Sequence, residues 1–347
     1  MKGRVVALGA LAGREAAALV VDGRLEDLLV DPPEAAGPRP GAILRGRVGR
    51  LVKGQGGVFV DLPGGASGFL RQVRGLAPGQ PVLVQVSGHA EPGKAVPLAT
   101  RLLFKGRHAI VTPGAPGLNV ARGLRDAGLR ARLTALAEAG MAGSEHGLIV
   151  RSACEAADDD EIADEIAALR RLAEAVLADE TGAPDLLLDA PAPHEAAWRD
   201  WAHPAPDLVD EGADAFDLHG VHDAVAALLR PEVALAAGAS AVIEPTRALV
   251  AVDVNTGPDT SPAAGLKANL ALARDLARQL RLRGLGGQVV IDFAPMPKRD
   301  RHVLEQALGA AFRRDGGEAT MAGWTPLGLY ELTRRRDRLP LSRAVAP

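Results

Sequence analysis

Cysteine occurs once in the 347 residues, at Cys154. One thiol cannot form an internal disulfide or furnish a cysteine-rich zinc site, which excludes a disulfide scaffold and a zinc ribbon and fits a reducing, cytoplasmic compartment. Aromatic residues are also sparse, at 3%, so the core has to be built from Ala, Val and Leu. Long apolar runs are missing: residues 233–243 come nearest and fall short of the ~18 residues of a membrane span. Lys2 and Arg4 precede apolar residues 5–13 in the manner of a signal peptide, but Arg14 and Glu15 interrupt the run and no small-residue cleavage site follows. A second apolar run, 16–21, leads into Asp22-Gly23, and the pattern predicts strands joined by tight turns. No Gly-x-x-x-x-Gly-Lys-Ser/Thr motif occurs, and Gly284, Gly286 and Gly287 follow a helical pattern instead of opening one. P-loop and dinucleotide-binding enzymes are thereby excluded.

What is present is a globular composition: 47% hydrophobic, with 40 Gly and 25 Pro as turn punctuation, at a length suited to two or three domains. The net charge of −3 hides a segregation. Residues 41–110 hold ten basic and two acidic residues, residues 151–240 five basic and 21 acidic, and residues 241–347 sixteen basic and eleven acidic. The first block carries the charge of a polyanion binder. The acidic stretch 158–180 reads more simply as a helix with a solvated face, its periodic Ile162, Ile166, Leu169, Leu172 and Val176 forming a buried stripe.

Within the basic block, residues 43–48, 57–62, 67–70 and 81–86 read as short alternating strands between glycine- and proline-containing turns, the pattern of a small barrel. Phe59 and Phe69 fall on these strands among Arg45, Arg47, Lys53 and Arg71. Rings beside phosphate-seeking cations are what single-stranded nucleic acid binders present, although either ring would serve equally as core.

The sharpest chemistry lies between residues 247 and 296. Residues 248–254 form a β-branched apolar run interrupted by Asp253, and Asn255, two residues on, shares its face. A leucine-periodic helix over 264–282 follows, then a buried strand over 288–293 carrying Asp292. Strand, helix, strand of this length predicts a parallel crossover unit that sets the strands' C-terminal ends side by side, so Asp253 and Asp292 converge. Two carboxylates there suit Mg²⁺, which takes oxygen ligands and keeps several waters. Capping or turn aspartates at strand ends would give the same pattern.

Val250-Ala-Val-Asp-Val-Asn-Thr-Gly257, Asn269-Leu270, the basic run through Arg278, Arg281 and Arg283 to Gly287, Val290-Ile-Asp-Phe293, and Gly328-Leu-Tyr-Glu331 with Thr333-Arg334 resemble the ribonuclease E/G family in order and spacing. Gly41-Ala-Ile-Leu-Arg-Gly-Arg-Val48, Val58-Phe-Val-Asp61 and Gly68-Phe-Leu70 resemble that family's S1 domain. The resemblance implies that Asp253 and Asp292 hold a catalytic Mg²⁺, that Asn255 orients the attacking water, and that single-stranded RNA is hydrolysed to 5′-phosphate and 3′-hydroxyl products. On the barrel, the rings and cations Phe59, Phe69, Arg45, Arg47 and Lys94 are the expected RNA contacts. Leu148-Ile-Val-Arg-Ser152 resembles the family's 5′-monophosphate pocket, with Arg151 as a bidentate contact and Ser152 as a hydroxyl donor; the alternative for Arg151 is an ion pair with the acidic helix. Arg278, Arg281 and Arg283 either line the RNA path or complement a helix dipole.

The implied architecture is multidomain α/β. An RNase H-like region (1–39 and 186–230) carries an inserted S1 (OB-type) barrel (40–101) and a 5′-sensor region (102–185), and a DNase I-like catalytic region (231–347) follows. Two departures matter. Ile291-Asp-Phe-Ala-Pro-Met296 lacks the second acid that the family's Ile-Asp-Phe-Ile-Asp-Met supplies, which keeps open a catalytically weak or inactive S1-domain RNA-binding protein. The family's Cys-Pro-x-Cys zinc element is also missing from the 347 residues, so no structural zinc is expected and any homodimer would form through ordinary protein surface.

Overall fold

The structure is a computed structural model that describes residues 2–52, 56–71, 75–91, 93–259, 261 and 263–346. Lys53 and Arg74 of the basic block lie outside the described residues. The chain is mixed α/β and divides into two compact units, residues 1–30 with 210–347, and residues 31–209. None of the described helices is long and apolar enough to cross a membrane.

The first unit begins with an antiparallel meander, Arg4–Leu11, Arg14–Val21 and Arg24–Val30. Its two-residue loops, Ala12-Gly13 and Asp22-Gly23, have positive φ at both positions, the twist that tight hairpins require. The inner residues of this sheet, Ala16, Ala18 and Val20 among them, pack with Phe216, Val221 and Val225. Beyond residue 230 lies a six-stranded sheet in the order Glu232–Ala234, Ser240–Pro245, Val250–Asn255, Gly287–Asp292, Tyr330–Arg334, Ala319–Trp324. Its one parallel pair among the described residues joins Val250–Asn255 to Gly287–Asp292. Between them runs the helix Ala264–Leu282, which packs Leu272, Leu276 and Leu280 on Val252, Val289 and Ile291 in a single core. The helix Arg301–Asp315 adds Leu304, Leu308 and Phe312 to that core. With one face apolar and covered, the alternating side chains of the other face are left to polar groups.

The second unit contains a closed barrel of five strands, Ile43–Val52, Gly57–Asp61, Ser67–Leu70, Val96–Ala99 and Pro81–Val86, the last pairing back to the first. Val48, Val58, Val60, Leu70, Val84 and Leu98 fill its interior. Beyond it, strands Phe104–Lys105, Ala109–Thr112, Gly147–Val150 and Leu118–Val120 make a small sheet packed with helices Ala127–Gly140 and Asp159–Ala178. The acidic helix buries Ile162, Ile166 and Val176 as its periodicity predicts, with Leu169 and Leu172 half-buried against the same core. Its Glu165 is more than solvated charge, because the carboxylate accepts the backbone N–H groups of Arg107, His108 and Ala109.

Arg278 and Arg281 near the end of Ala264–Leu282, and Arg283 just past it, have structural partners in the first unit. Arg278 donates to the Leu25 carbonyl and pairs with Asp275. Arg281 pairs with Asp315 and donates to the Glu26 carbonyl, and Arg283 donates to the carbonyls of Leu228 and Arg230. All three therefore tie the end of this helix to its surroundings. Asp27 joins the network through both oxygens to Arg338. Burial alone would raise its pKa, but the Arg338 and Arg281 guanidiniums outweigh burial and hold it below the usual carboxylate value. A depressed carboxylate stabilises the fold above its unfolded pKa, and that stability is lost as the pH falls through the folded one. Asp27→Asn should lower the unfolding free energy at pH 7 by about 3 kcal/mol. In urea melts the gap between parent and variant should narrow as the pH falls below about 4.

Candidate active site and nucleic-acid-facing residues

The parallel register sets Asp253 directly beside Asp292, at the C-terminal ends of adjacent strands. Both side chains are exposed on the polar face of the sheet, with Asn255 beside them. Asn255 Nδ2 donates to Asp253 Oδ2 at 2.7 Å, which fixes one carboxylate oxygen and leaves the other available. Like charges placed opposite each other across two strands destabilise the pair, so the arrangement favours a cation between them. Among the described residues no group of three or more His, Cys, Asp or Glu assembles to hold a metal. An all-oxygen, two-carboxylate donor set is too small for a closed structural site and fits Mg²⁺, which completes its shell with water and phosphate oxygens.

The segments that follow these strand residues are held by close main-chain contacts. Gly257 turns the chain after Asn255 with φ +64, and a Cβ there would collide with the Gly238 carbonyl oxygen. Beyond Asp292, the wholly buried Asn269 grips Ala294: its Nδ2 donates to the Ala294 carbonyl at 2.9 Å and its Oδ1 accepts the Ala294 N–H at 3.0 Å. The family resemblance includes Asn269 without assigning it a role, although an amide between Ala268 and Leu270 in an apolar helix is itself a signal. Pro295, which stands where the resemblance leads one to expect a second acid, is exposed.

On the barrel, Phe59 and Phe69 are cross-strand partners, half-buried on the outer face, with ring centroids 5.3 Å apart. Their neighbours Val58, Val60 and Leu70 point inward. Gly57 makes room for the pair, since a Cβ at that position would meet the Phe69 ring. The Arg50 guanidinium lies 5.6 Å from the Phe59 centroid. Arg47 is exposed, with weak bonds to the carbonyls of Gly79 and Gly182, and Lys94 is exposed beside Glu91 at 2.9 Å. Arg45 differs from what its sequence context suggests. It is only 7% exposed, and its guanidinium binds Asp179, the Ala183 carbonyl at 2.7 Å and Asp185 at 3.7 Å, so its charge is committed to holding the barrel against the end of the acidic helix.

Arg151 is likewise engaged. It donates to the Gly106 and Arg199 carbonyls and to Asp200 Oδ1 at 2.9 Å, its ionic partner lying on the helix Pro193–Asp200 and not on the acidic helix. Arg199 binds the same carboxylate at 2.7 Å. Burial would raise the Asp200 pKa, but Arg199 and Arg151 together hold it below the usual range. Ser152 is half-buried at the start of the short turn Ser152–Ala156. Arg107 stacks on Trp198 at 4.5 Å, a contact with no sequence signal because 91 positions separate the two residues.

A sequence profile of the Ribonuclease E/G family matches residues 104–210 and 205–337. The chain is 31% identical over 305 residues to Ribonuclease E of Nostoc sp., an alignment covering 76% of this chain and 44% of that protein. It is 28% identical to Ribonuclease G of Salmonella typhimurium, with 86% of this chain and 73% of that one covered. For Ribonuclease G of Haemophilus influenzae the identity is 27%, covering 94% and 78%. The chain thus spans less than half the length of the Nostoc relative and about three quarters of the other two. With the profile extending across most of both compact units, the chain belongs to the Ribonuclease E/G family.

Proposed function

We propose that the chain is a magnesium-dependent endoribonuclease that hydrolyses single-stranded RNA to 5′-phosphate and 3′-hydroxyl products in RNA processing or decay. The observation that supports this most is the in-register pair Asp253 and Asp292 with Asn255 bonded to the first of them. In this reading the two aspartates hold the ion, which when bound supplies Lewis acidity toward water and a phosphate oxygen. Asn255 fixes the Asp253 carboxylate and, through its remaining amide capacity, orients the attacking water. Phe59 and Phe69 stack on bases while Arg47 and Lys94 meet the backbone. Arg151 and Ser152 receive a 5′-terminal phosphate only when Asp200 yields its place on Arg151, so sensing is a competition between a substrate phosphate and a protein carboxylate.

Incubating 5′-monophosphorylated single-stranded RNA with the protein, in Mg²⁺ or in EDTA, tests the reading on a gel. Internal cuts in Mg²⁺ alone are expected; retention without cutting would favour an RNA-binding protein weakened by Pro295. Asp253→Asn and Asp292→Asn should abolish cleavage while RNA affinity stays near that of the parent, because affinity comes mainly from the basic barrel. Either variant cutting at the parental rate would remove the catalytic assignment. Asn255→Ala should slow turnover by about 10²–10⁴-fold, as loss of a positioning group does.

Phe59→Ala and Phe69→Ala should each weaken RNA binding by about 1–3 kcal/mol in fluorescence titrations. A parallel collapse in melting temperature would instead identify the rings as supports of the barrel.

Zinc has no part in this reading, and a homodimer would form without it. Cys154 is buried, and burial, with the Glu165 charge beside it, pushes its thiol up to about 12, far from the thiolate that zinc requires. Cleavage should therefore survive treatment with a zinc-selective chelator.

A further inference from the structure

Beside Asp292 stands a corner of the first unit that the proposed chemistry leaves without a task. Ile291 pairs with Tyr330, so the tight turn joining Ala319–Trp324 to Tyr330–Arg334 projects past the same end of the sheet as Asp292. That turn is rigidly built. The Thr325 N–H donates to the Leu329 carbonyl at 2.7 Å, the Gly328 N–H to the Thr325 carbonyl at 3.0 Å, and the Leu329 N–H to Thr325 Oγ1 at 3.1 Å. At its tip Leu327 is 92% exposed. A large apolar side chain held fully in water by a hydrogen-bonded turn adds nothing to the fold.

The turn's neighbours are cationic. Arg301 lies 4.0 Å from the centroid of Trp324, and its Nη2 comes within 3.9 Å of where a Cβ at Gly328 would stand. Its Nε is buried without a hydrogen-bond partner, and its guanidinium makes no ion pair among the described residues. Glu305, the nearest carboxylate on its helix, instead accepts the Trp324 indole N–H at 2.7 Å. Trp324 is in turn braced by Tyr330 and Phe293, with ring centroids 5.3 and 5.7 Å away. On the segment that follows Asp292, Lys298 is exposed, and Arg299 is 86% exposed with Asp300 3.9 Å away. The contrast with Arg278, Arg281 and Arg283 is sharp, since each of those is consumed by internal acceptors.

We propose that this corner is a nucleotide subsite next to the cleavage site, in which one base of single-stranded RNA lies against Leu327 while its phosphate is held by Arg301 and Lys298. The inference rests on the nuclease reading and deepens it by naming residues that choose where the strand is cut. A phosphate is the natural partner of a preorganised, unpaired guanidinium, and a base laid against exposed Leu327 removes apolar surface of both from water. A protein partner is disfavoured, because one exposed leucine offers far less apolar surface than a stable protein interface buries.

The test uses Leu327→Ser, Arg301→Gln and Arg301→Lys in the full chain. In EDTA, a fluorescent single-stranded RNA and the same strand with abasic residues are titrated against each protein. In Mg²⁺, cut sites on a randomised single-stranded RNA are mapped by sequencing. Leu327→Ser should weaken binding of the base-bearing strand about 5-fold or more, leave the abasic strand unchanged, and flatten the nucleotide preference beside the cut. Arg301→Gln should weaken both strands and raise KM more than it lowers kcat, with Arg301→Lys recovering part of the loss. Unchanged affinities and an unchanged cut pattern in Leu327→Ser and Arg301→Gln would overturn the proposal. A parent protein that binds but never cuts would end the nuclease reading, and the EDTA titrations would still decide the subsite.

Discussion

Everything at the proposed catalytic edge depends on the parallel pairing of Val250–Asn255 with Gly287–Asp292. Two like charges do not choose to lie side by side; they are placed there by what is packed beneath them. Leu272, Leu276 and Leu280 of the connecting helix occupy the same core as Val252, Val289 and Ile291. A slip of one residue in either strand would exchange those apolar side chains with the polar set that includes Asp253 and Asp292. The register is therefore specified by burial on the hidden face, and the carboxylates on the open face inherit their proximity. The Asn255–Asp253 bond and the grip of Asn269 on Ala294 then refine a placement already made.

The arginines show how little a charge count says about where charge is available. In the first unit, Arg278, Arg281, Arg283, Arg334 and Arg338 are bound to carboxylates or carbonyls that hold helix, meander and C-terminal strand together. In the second, Arg45 and Arg151 have comparable internal partners, whereas Arg47 makes only weak contacts to carbonyls. The basic surface on which a polyanion can act is correspondingly smaller than the sequence block that announces it. Arg151 is the intermediate case, because its partner Asp200 is also held by Arg199 and so has an alternative anchor should a competing anion arrive.

Local patterning was the most legible part of the chain. The helix over 264–282, the hairpin turn at Asp22-Gly23, the acidic helix with its buried stripe, and the short barrel strands all follow from periodicity and turn chemistry, which act over a few residues. The approach of Asp253 to Asp292 was legible as well, since the handedness and length of a crossover leave it little choice. What stayed hidden were pairings over long sequence distances: Arg45 with Asp179, Arg151 with Asp200, Arg107 with Trp198, Arg338 with Asp27. Side-chain ion pairs carry no period and no spacing rule. The barrel rings fall between these cases, because alternation places Phe59 and Phe69 together on one face without saying which face.

The grip of Asn269 on Ala294 has a consequence for how this edge can diverge. The amide grips the main chain of Ala294, with one side-chain contact to Met296 Sδ at 3.4 Å, and Gly265 beside it lets the helix approach the Pro295 carbonyl directly. The anchoring at Ala294 and Pro295 is thus indifferent to the side chain at position 295. Replacement of an acid by Pro295 changes the electrostatic surroundings of the site while its backbone support persists. A substitution at position 295 can therefore change the charge beside the two aspartates without loosening the main chain that carries them.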